Sequence, residues 1–209
     1  MAQNTTNQIG YTFNNTVIDN VCCLMYNYHV NYSFRVALQN FGSRYQIRKA
    51  LAEGRLYVIG HGLYSDKKPI KDEATLSLLY PGAILTLNSA FYLYGLTDVV
   101  PNRCYFASVR TYTRIKDKAI KQNFQNKEIF ILGDSSISTP SGTVRIYDKE
   151  RLLIELIRLQ KRFPYDYYKE IILNYRAIAD SLDSNKIAEY AGHFKNGERI
   201  LIQILREVF

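Results

Sequence analysis

Apolar residues change their spacing along this chain, and the changes mark where elements begin and end. From Asn14 to about Val30, Val17, Ile18, Val21, Leu24 and Met25 recur every three or four positions, a helical stripe that Asn14 or Asn15 can cap. Ser33 can cap a second helix whose Phe34, Ala37, Leu38 and Phe41 face inward, and Gly42 turns the chain. Between Ser43, a second N-cap, and Gly54, a C-terminal stop, Ile47, Ala50 and Leu51 form a third stripe. Arg55 to Ile59 then alternates like a strand, Gly60-His61-Gly62 makes a tight turn, and Leu63-Tyr64 begins a return strand. Three helices and a hairpin over residues 14–65 predict a winged helix-turn-helix. His61 is expected at or near the tip of the wing.

Past this unit the pattern changes. Asp66-Lys67-Lys68-Pro69 is charged and broken by proline, so a linker is expected over 66–71, and a second domain over 72–209. Short helices are predicted over Lys71 to Tyr80 and Asn88 to Tyr94, the latter ended by Gly95. Strands are expected at Ile84 to Leu87, Cys104 to Val109, Ile129 to Leu132 and Val144 to Tyr147, with a turn at Thr139-Pro140-Ser141-Gly142. Four helices follow, over Lys149 to Lys161, Tyr165 to Ala179, Ser184 to His193 and Glu198 to Val208. The fold class is therefore α+β: an N-terminal winged helix-turn-helix, then a mixed domain with a small β-sheet and a C-terminal helical bundle. Residues 1–13, polar and rich in Asn and Thr, are expected to be a flexible N-terminus.

Composition is that of a globular protein, with 47% hydrophobic and 22% charged residues. No apolar run approaches the roughly 20 residues of a membrane helix, and the first residues lack the basic region and apolar core of a secretory signal. A cytoplasmic protein without a membrane partner is expected. Three cysteines, two of them adjacent at Cys22 and Cys23, make a poor disulfide framework. His29, His61 and His193 are scattered and there is no C-x-x-C, so no metal site is expected. None of the 11 glycines forms a phosphate-cradling loop, and no cofactor is expected.

The formal charge of +8 is informative mainly through its distribution. Residues 1–65 carry five basic and two acidic side chains, and the excess lies between Arg44 and Arg55. At about 100° per residue, Arg44, Tyr45, Arg48 and Lys49 share an arc of roughly 140° opposite the stripe that packs inward. Arginines on such a face can bridge base-edge acceptors in a major groove and neutralise phosphates. A solvated helix face is the plain alternative. The hairpin directly after the helix favours DNA. A second cluster, Arg103, Arg110, Arg114, Lys116, Lys118 and Lys121, has only Asp117 among it and suggests another surface for DNA or an acidic partner.

An enzyme is the rival class. Asp148, Glu150 and Glu155 might be the carboxylates of a metal-dependent nuclease, but Asp148 stands where an N-cap belongs, Glu150 lies in the favourable first turn, and Glu155 can pair with Arg151 or Arg158. Tyr165, Tyr167 and Tyr168, at a helix start after Pro164, fit half-buried packing better than catalysis. A winged-helix transcription factor sensing a small ligand through its second domain is a further alternative.

The succession of winged helix, Asn88-Ser89-Ala90-Phe91-Tyr92-Leu93-Tyr94-Gly95-Leu96-Thr97-Asp98, Pro101, a basic hairpin region, Thr139-Pro140-Ser141-Gly142 and Val144-Arg145-Ile146-Tyr147-Asp148-Lys149-Glu150-Arg151 resembles the AbiEi family. These are bacterial abortive-infection antitoxins of type IV toxin-antitoxin systems. The resemblance covers about residues 30–209. It implies a winged helix that represses its own operon and a C-terminal antitoxin domain that counteracts a nucleotidyltransferase-like toxin, without requiring stable contact with it. Arg44, Tyr45, Gln46, Arg48 and Lys49 would lie on the recognition helix, and Arg55 and His61 on the wing. Family members bind double-stranded operator DNA at inverted repeats, with more than one copy on the DNA. Arg35, Lys49 and Arg55 are then expected to anchor phosphates, Arg44, Gln46 and Arg48 to read bases, and His61 to approach the minor groove. In place of the family's usual glycine and threonine lead-in, this chain has His29-Val30-Asn31-Tyr32-Ser33.

Overall fold

The computed structural model describes residues 31–68 and 71–209. The helix expected over Asn14 to Val30 lies outside them, as do the flexible N-terminus and Pro69 and Ile70 of the expected linker. The described fold is α+β.

The first part runs β1 (Asn31–Ser33), α1 (Phe34–Phe41), α2 (Arg44–Ala52), β2 (Tyr57–Gly60) and β3 (Leu63–Ser65). Both helices start where serine satisfies otherwise orphaned amides: Ser33 Oγ accepts from Val36 N and Ser43 Oγ from Gln46 N. Gly42, with φ +78°, allows the abrupt turn between them. Ala37, Ile47, Ala50 and Leu56 form a small core, edged by Tyr32, Phe34, Leu38, Phe41, Leu51 and Tyr64. β3 is the middle strand of an antiparallel sheet in the order β1-β3-β2. In the β2–β3 hairpin Gly60 pairs with Leu63 across His61-Gly62, and the register shifts between Val58 and Gly60. Only Gly62 has positive φ there, at +68°. Gly60 serves close approach instead: a Cβ on it would meet Leu79 Cδ2, so the hairpin lies against the start of the second part.

That part contains α3 (Glu73–Leu79), β4 (Ile84–Leu85), α4 (Leu87–Leu93), β5 (Cys104–Val109), β6 (Ile120–Gln125), α5 (Lys127–Phe130), β7 (Asp134–Thr139) and β8 (Gly142–Tyr147), then α6 (Lys149–Arg158), α7 (Tyr165–Ala177), α8 (Ser184–Gly192) and α9 (Gly197–Glu207). Its mixed sheet has the order β6-β5-β4-β8-β7. β5 pairs parallel with β6, and β4 parallel with β8; the other pairs are antiparallel, so the basic region after Pro101 is a crossover between parallel strands and not the expected hairpin. A single core cluster runs from Ala74 through the sheet to Val208. α6 is its axis, buried from Glu150 to Ile157. Each fully buried leucine there, such as Leu152, Leu153 and Leu156, stabilises the fold by about 1.5–3 kcal/mol relative to an exposed one.

One expected strand is corrected. Ile129 to Leu132 is not extended: Lys127–Phe130 forms a helical turn, Phe130 is buried, Ile131 is exposed, and Gly133 at φ +73° redirects the chain. A four-residue apolar run carries no period that separates helix from strand. β6 and β7, which were not expected, are the two edge strands. Their sequences, IKQNFQ and DSSIST, are polar because few of their positions face the core.

Candidate nucleic-acid interface

The outer face of α2 is built by its own stripe. With Ile47 and Ala50 buried, Arg44, Tyr45, Gln46, Arg48 and Lys49 are all exposed, Tyr45 to 72%. Arg44 stacks over Phe34, with its guanidinium carbon 5.4 Å from the ring centroid, which restrains an otherwise mobile side chain. A shallow recess of about 340 Å³ lies between Phe34, Arg44, Arg48, Leu51 and Tyr64. Arg35 is exposed on α1 and His61 at the hairpin turn.

One residue stands differently from expectation. Arg55 lies in the connection between the end of α2 at Ala52 and the start of β2 at Tyr57, so it is not on a strand of the hairpin. Its Nε donates to Glu53 Oε2 at 2.9 Å, while Lys49 Nζ lies 3.9 Å from Glu53 Oε1. Two of the three cations expected to hold phosphates thus share one carboxylate. All three side chains are more than a third exposed, so the pairing is weak enough for phosphate to displace.

The second cluster is arranged around the β5–β6 connection. Arg103 precedes β5; Arg110, Arg114, Lys116 and Lys118 lie on the connection; Lys121 is on β6 with Nζ 5.1 Å from the Tyr105 ring centroid. All six are exposed. Their one acidic neighbour is occupied elsewhere: Asp117 accepts from Lys71 Nζ at 2.7 Å and from Ala119 N. Those two hydrogen bonds hold its carboxyl below the ordinary value. Among the described residues none of the six cations has a carboxylate partner within salt-bridge distance.

Spacing alone did not reveal a third basic region. A cavity of about 480 Å³ opens between the end of α6, the turn Gln160–Arg162 and α9, with Arg158, Lys161, Arg162 and Arg199 on its walls. A second, of about 300 Å³, adjoins it through Arg158, Leu159 and Arg162 and is bounded by Arg110 and β6. Arg158, Lys161 and Arg162 lie within five residues of one another, but Arg199 and Arg110 join them from positions tens of residues away, which no single run or motif announces.

The carboxylates considered for a nuclease have structural partners. Asp148 Oδ1 caps α6 by accepting from Arg151 N, and its Oδ2 accepts from Tyr190 Oη at 3.0 Å. Burial raises its pKa. Glu150 Oε1 accepts from Asp183 N. Glu155, 1% exposed, accepts from the fully buried Arg151 at 2.7 Å and from Arg158. Arg151 is flanked by the rings of Tyr147 and Phe194, each 4.9 Å from its guanidinium carbon. Among the described residues no three His, Cys, Asp or Glu side chains converge as metal ligands.

No protein-family model matches this chain, and no curated protein matches it significantly. Its structure is similar to the crystal structure of the RV2827C protein from Mycobacterium tuberculosis, with a TM-score of 0.53 over 83% of this chain and 71% of that one. At 13% identity the likeness is one of fold. Among the described residues, no helix is long and apolar enough to cross a membrane.

Proposed function

We propose that this chain is a cytoplasmic antitoxin and autorepressor of a type IV, abortive-infection toxin-antitoxin system, of the AbiEi kind, with no catalysis of its own. In this reading α1, the Gly42 turn, α2 and the β2–β3 hairpin form a winged helix-turn-helix. α2 enters the major groove of operator DNA, where Arg44, Gln46 and Arg48 meet base edges and Tyr45 the groove wall. Arg35, Lys49 and Arg55 hold phosphates, and His61 approaches the minor groove. Copies on inverted repeats repress the operon. The part from residue 72 onward counteracts a nucleotidyltransferase-like toxin encoded beside it, and Arg103 to Lys121 either extends the DNA track or meets an acidic partner.

The observation that carries the reading is the pairing of a packed inner stripe with an exposed cationic face on one serine-capped helix, set between a tight glycine turn and a hairpin. The order of these elements adds support. The test is a reporter driven by the operon's own promoter, with and without the chain, together with growth of cells expressing the neighbouring toxin gene. Repression and restored growth are expected. Repression that survives Arg44→Ala with Arg48→Ala would remove α2 as the DNA reader, and unrelieved toxicity would remove the antitoxin role.

A further inference from the structure

The two cavities share Arg158, Leu159 and Arg162 as walls, and the groove they outline together has no carboxylate among its lining residues. Its first half presents Lys161, Arg162 and Arg199, none of which has a carboxylate partner within salt-bridge distance among the described residues. Arg158, at the junction, is oriented from behind: its Nε donates to Glu155, which is itself held by the buried Arg151. With two guanidinium groups against one carboxylate, that network keeps a net positive charge directed at the groove.

The second half has a different character. Phe124 is 44% exposed on the edge strand β6, beside Asn123 and Asn126, while the amide of the neighbouring Gln122 is used within the fold, accepting from Ile115 N and donating to Ser108 Oγ. Asn123 Nδ2 is shielded from solvent and has no hydrogen-bond acceptor in the fold. The groove wall also includes Leu87, the only non-glycine among the described residues with positive φ, at +47°. Holding a leucine there costs on the order of 1–2 kcal/mol, and such strain gathers at binding sites.

A flat exposed ring, side-chain amides and a row of cations are what a single-stranded nucleic acid needs: a stacking platform for a base, donors and acceptors for its edge, and phosphate neutralisation along the backbone. A duplex keeps its bases stacked on each other and offers no free face to Phe124. An acidic protein would use the cations and leave the ring and amides idle. We infer that the groove between β6, the end of α6 and α9 binds a short single-stranded polynucleotide, with a base stacked on Phe124 and successive phosphates on Arg158, Arg162 and Arg199. This site is separate from the α2 face and does not depend on the duplex reading.

The experiment is fluorescence anisotropy of the full chain with labelled oligouridylate and oligodeoxythymidylate of about twelve nucleotides, each titrated with and without polyglutamate as competitor, with operator duplex run in parallel. Binding of either strand supports the site, and the stronger of the two identifies RNA or DNA as its source. Phe124→Ala should weaken single-strand binding about tenfold at both low and high salt, and Phe124→Tyr should restore it. Arg162→Ala with Arg199→Ala should weaken it at least tenfold and flatten its salt dependence, while leaving duplex binding unchanged. All these side chains line an open groove, so the variants are expected to fold. Failure of the wild-type chain to bind either strand would overturn the inference. So would Phe124→Ala binding as wild type, or polyglutamate competing as well as unlabelled strand, which would reassign the groove to an acidic protein. Loss of duplex binding alone would count against the α2 reading and leave this one standing.

Discussion

Glu53 offers the sharpest perturbation of the proposed DNA face, because it pairs with both Lys49 and Arg55 in this structure. It caps the end of α2 and lies between Arg55, at 2.9 Å, and Lys49, at 3.9 Å. Two unit charges about 4 Å apart in water attract by about 1 kcal/mol, and exposed pairs retain about half of that once side-chain ordering is counted. Releasing both cations should therefore return about 1 kcal/mol to phosphate binding, roughly a fivefold gain in affinity. Removing the negative charge also ends an unfavourable alignment at the helix C-terminus, which offsets the lost ion pairs, so Glu53→Gln should melt close to the wild type. The assay is anisotropy of a labelled operator duplex between about 50 and 200 mM salt. Tighter binding is expected, with a salt slope steeper by about one per bound monomer as one more phosphate is neutralised. Unchanged or weaker binding by a fully folded variant would refute the placement of Lys49 and Arg55 on the phosphates.

Arg44→Ala should relax sequence preference, whereas Lys49→Ala should weaken binding to operator and random duplex about equally; equal losses on both DNAs for both variants would show that base and phosphate contacts are misassigned. Replacing Arg110, Arg114 and Lys116 together by alanine should reduce promoter binding or antitoxicity without lowering stability, and wild-type performance in both assays would make this a solvated surface. Glu155→Ala leaves the guanidinium of Arg151 buried without its counter-charge, so urea unfolding should register a loss of about 3–5 kcal/mol. A loss below about 1 kcal/mol would mean that water or rearrangement relieves the buried charge.

Local signals were legible wherever one residue performs one local task. Ser33 and Ser43 accept the amides expected of caps, Gly42 and Gly54 take left-handed φ, and Asp148 caps α6. The helices from α6 to α9 follow their apolar periods to within a few residues, since each buries one face against the others. Edge strands were not legible: β6 and β7 have a strand on one side only and keep polar sequences, so neither alternation nor an apolar run marks them. Nor was the close approach of Gly60 to Leu79, which depends on how two separately packed cores meet. The cations of α2 could be read because a single helical period gathers them. Arg158, Arg162, Arg199 and Phe124 converge through tertiary packing, and no sequence window contains them all.

The central claim, that the α2 face binds operator duplex through phosphates, is tested most directly by the salt dependence of promoter binding. With about four phosphates neutralised per copy and two copies on adjacent half-sites, the plot of log affinity against log salt should have a slope of about −7. A flat dependence would contradict the account.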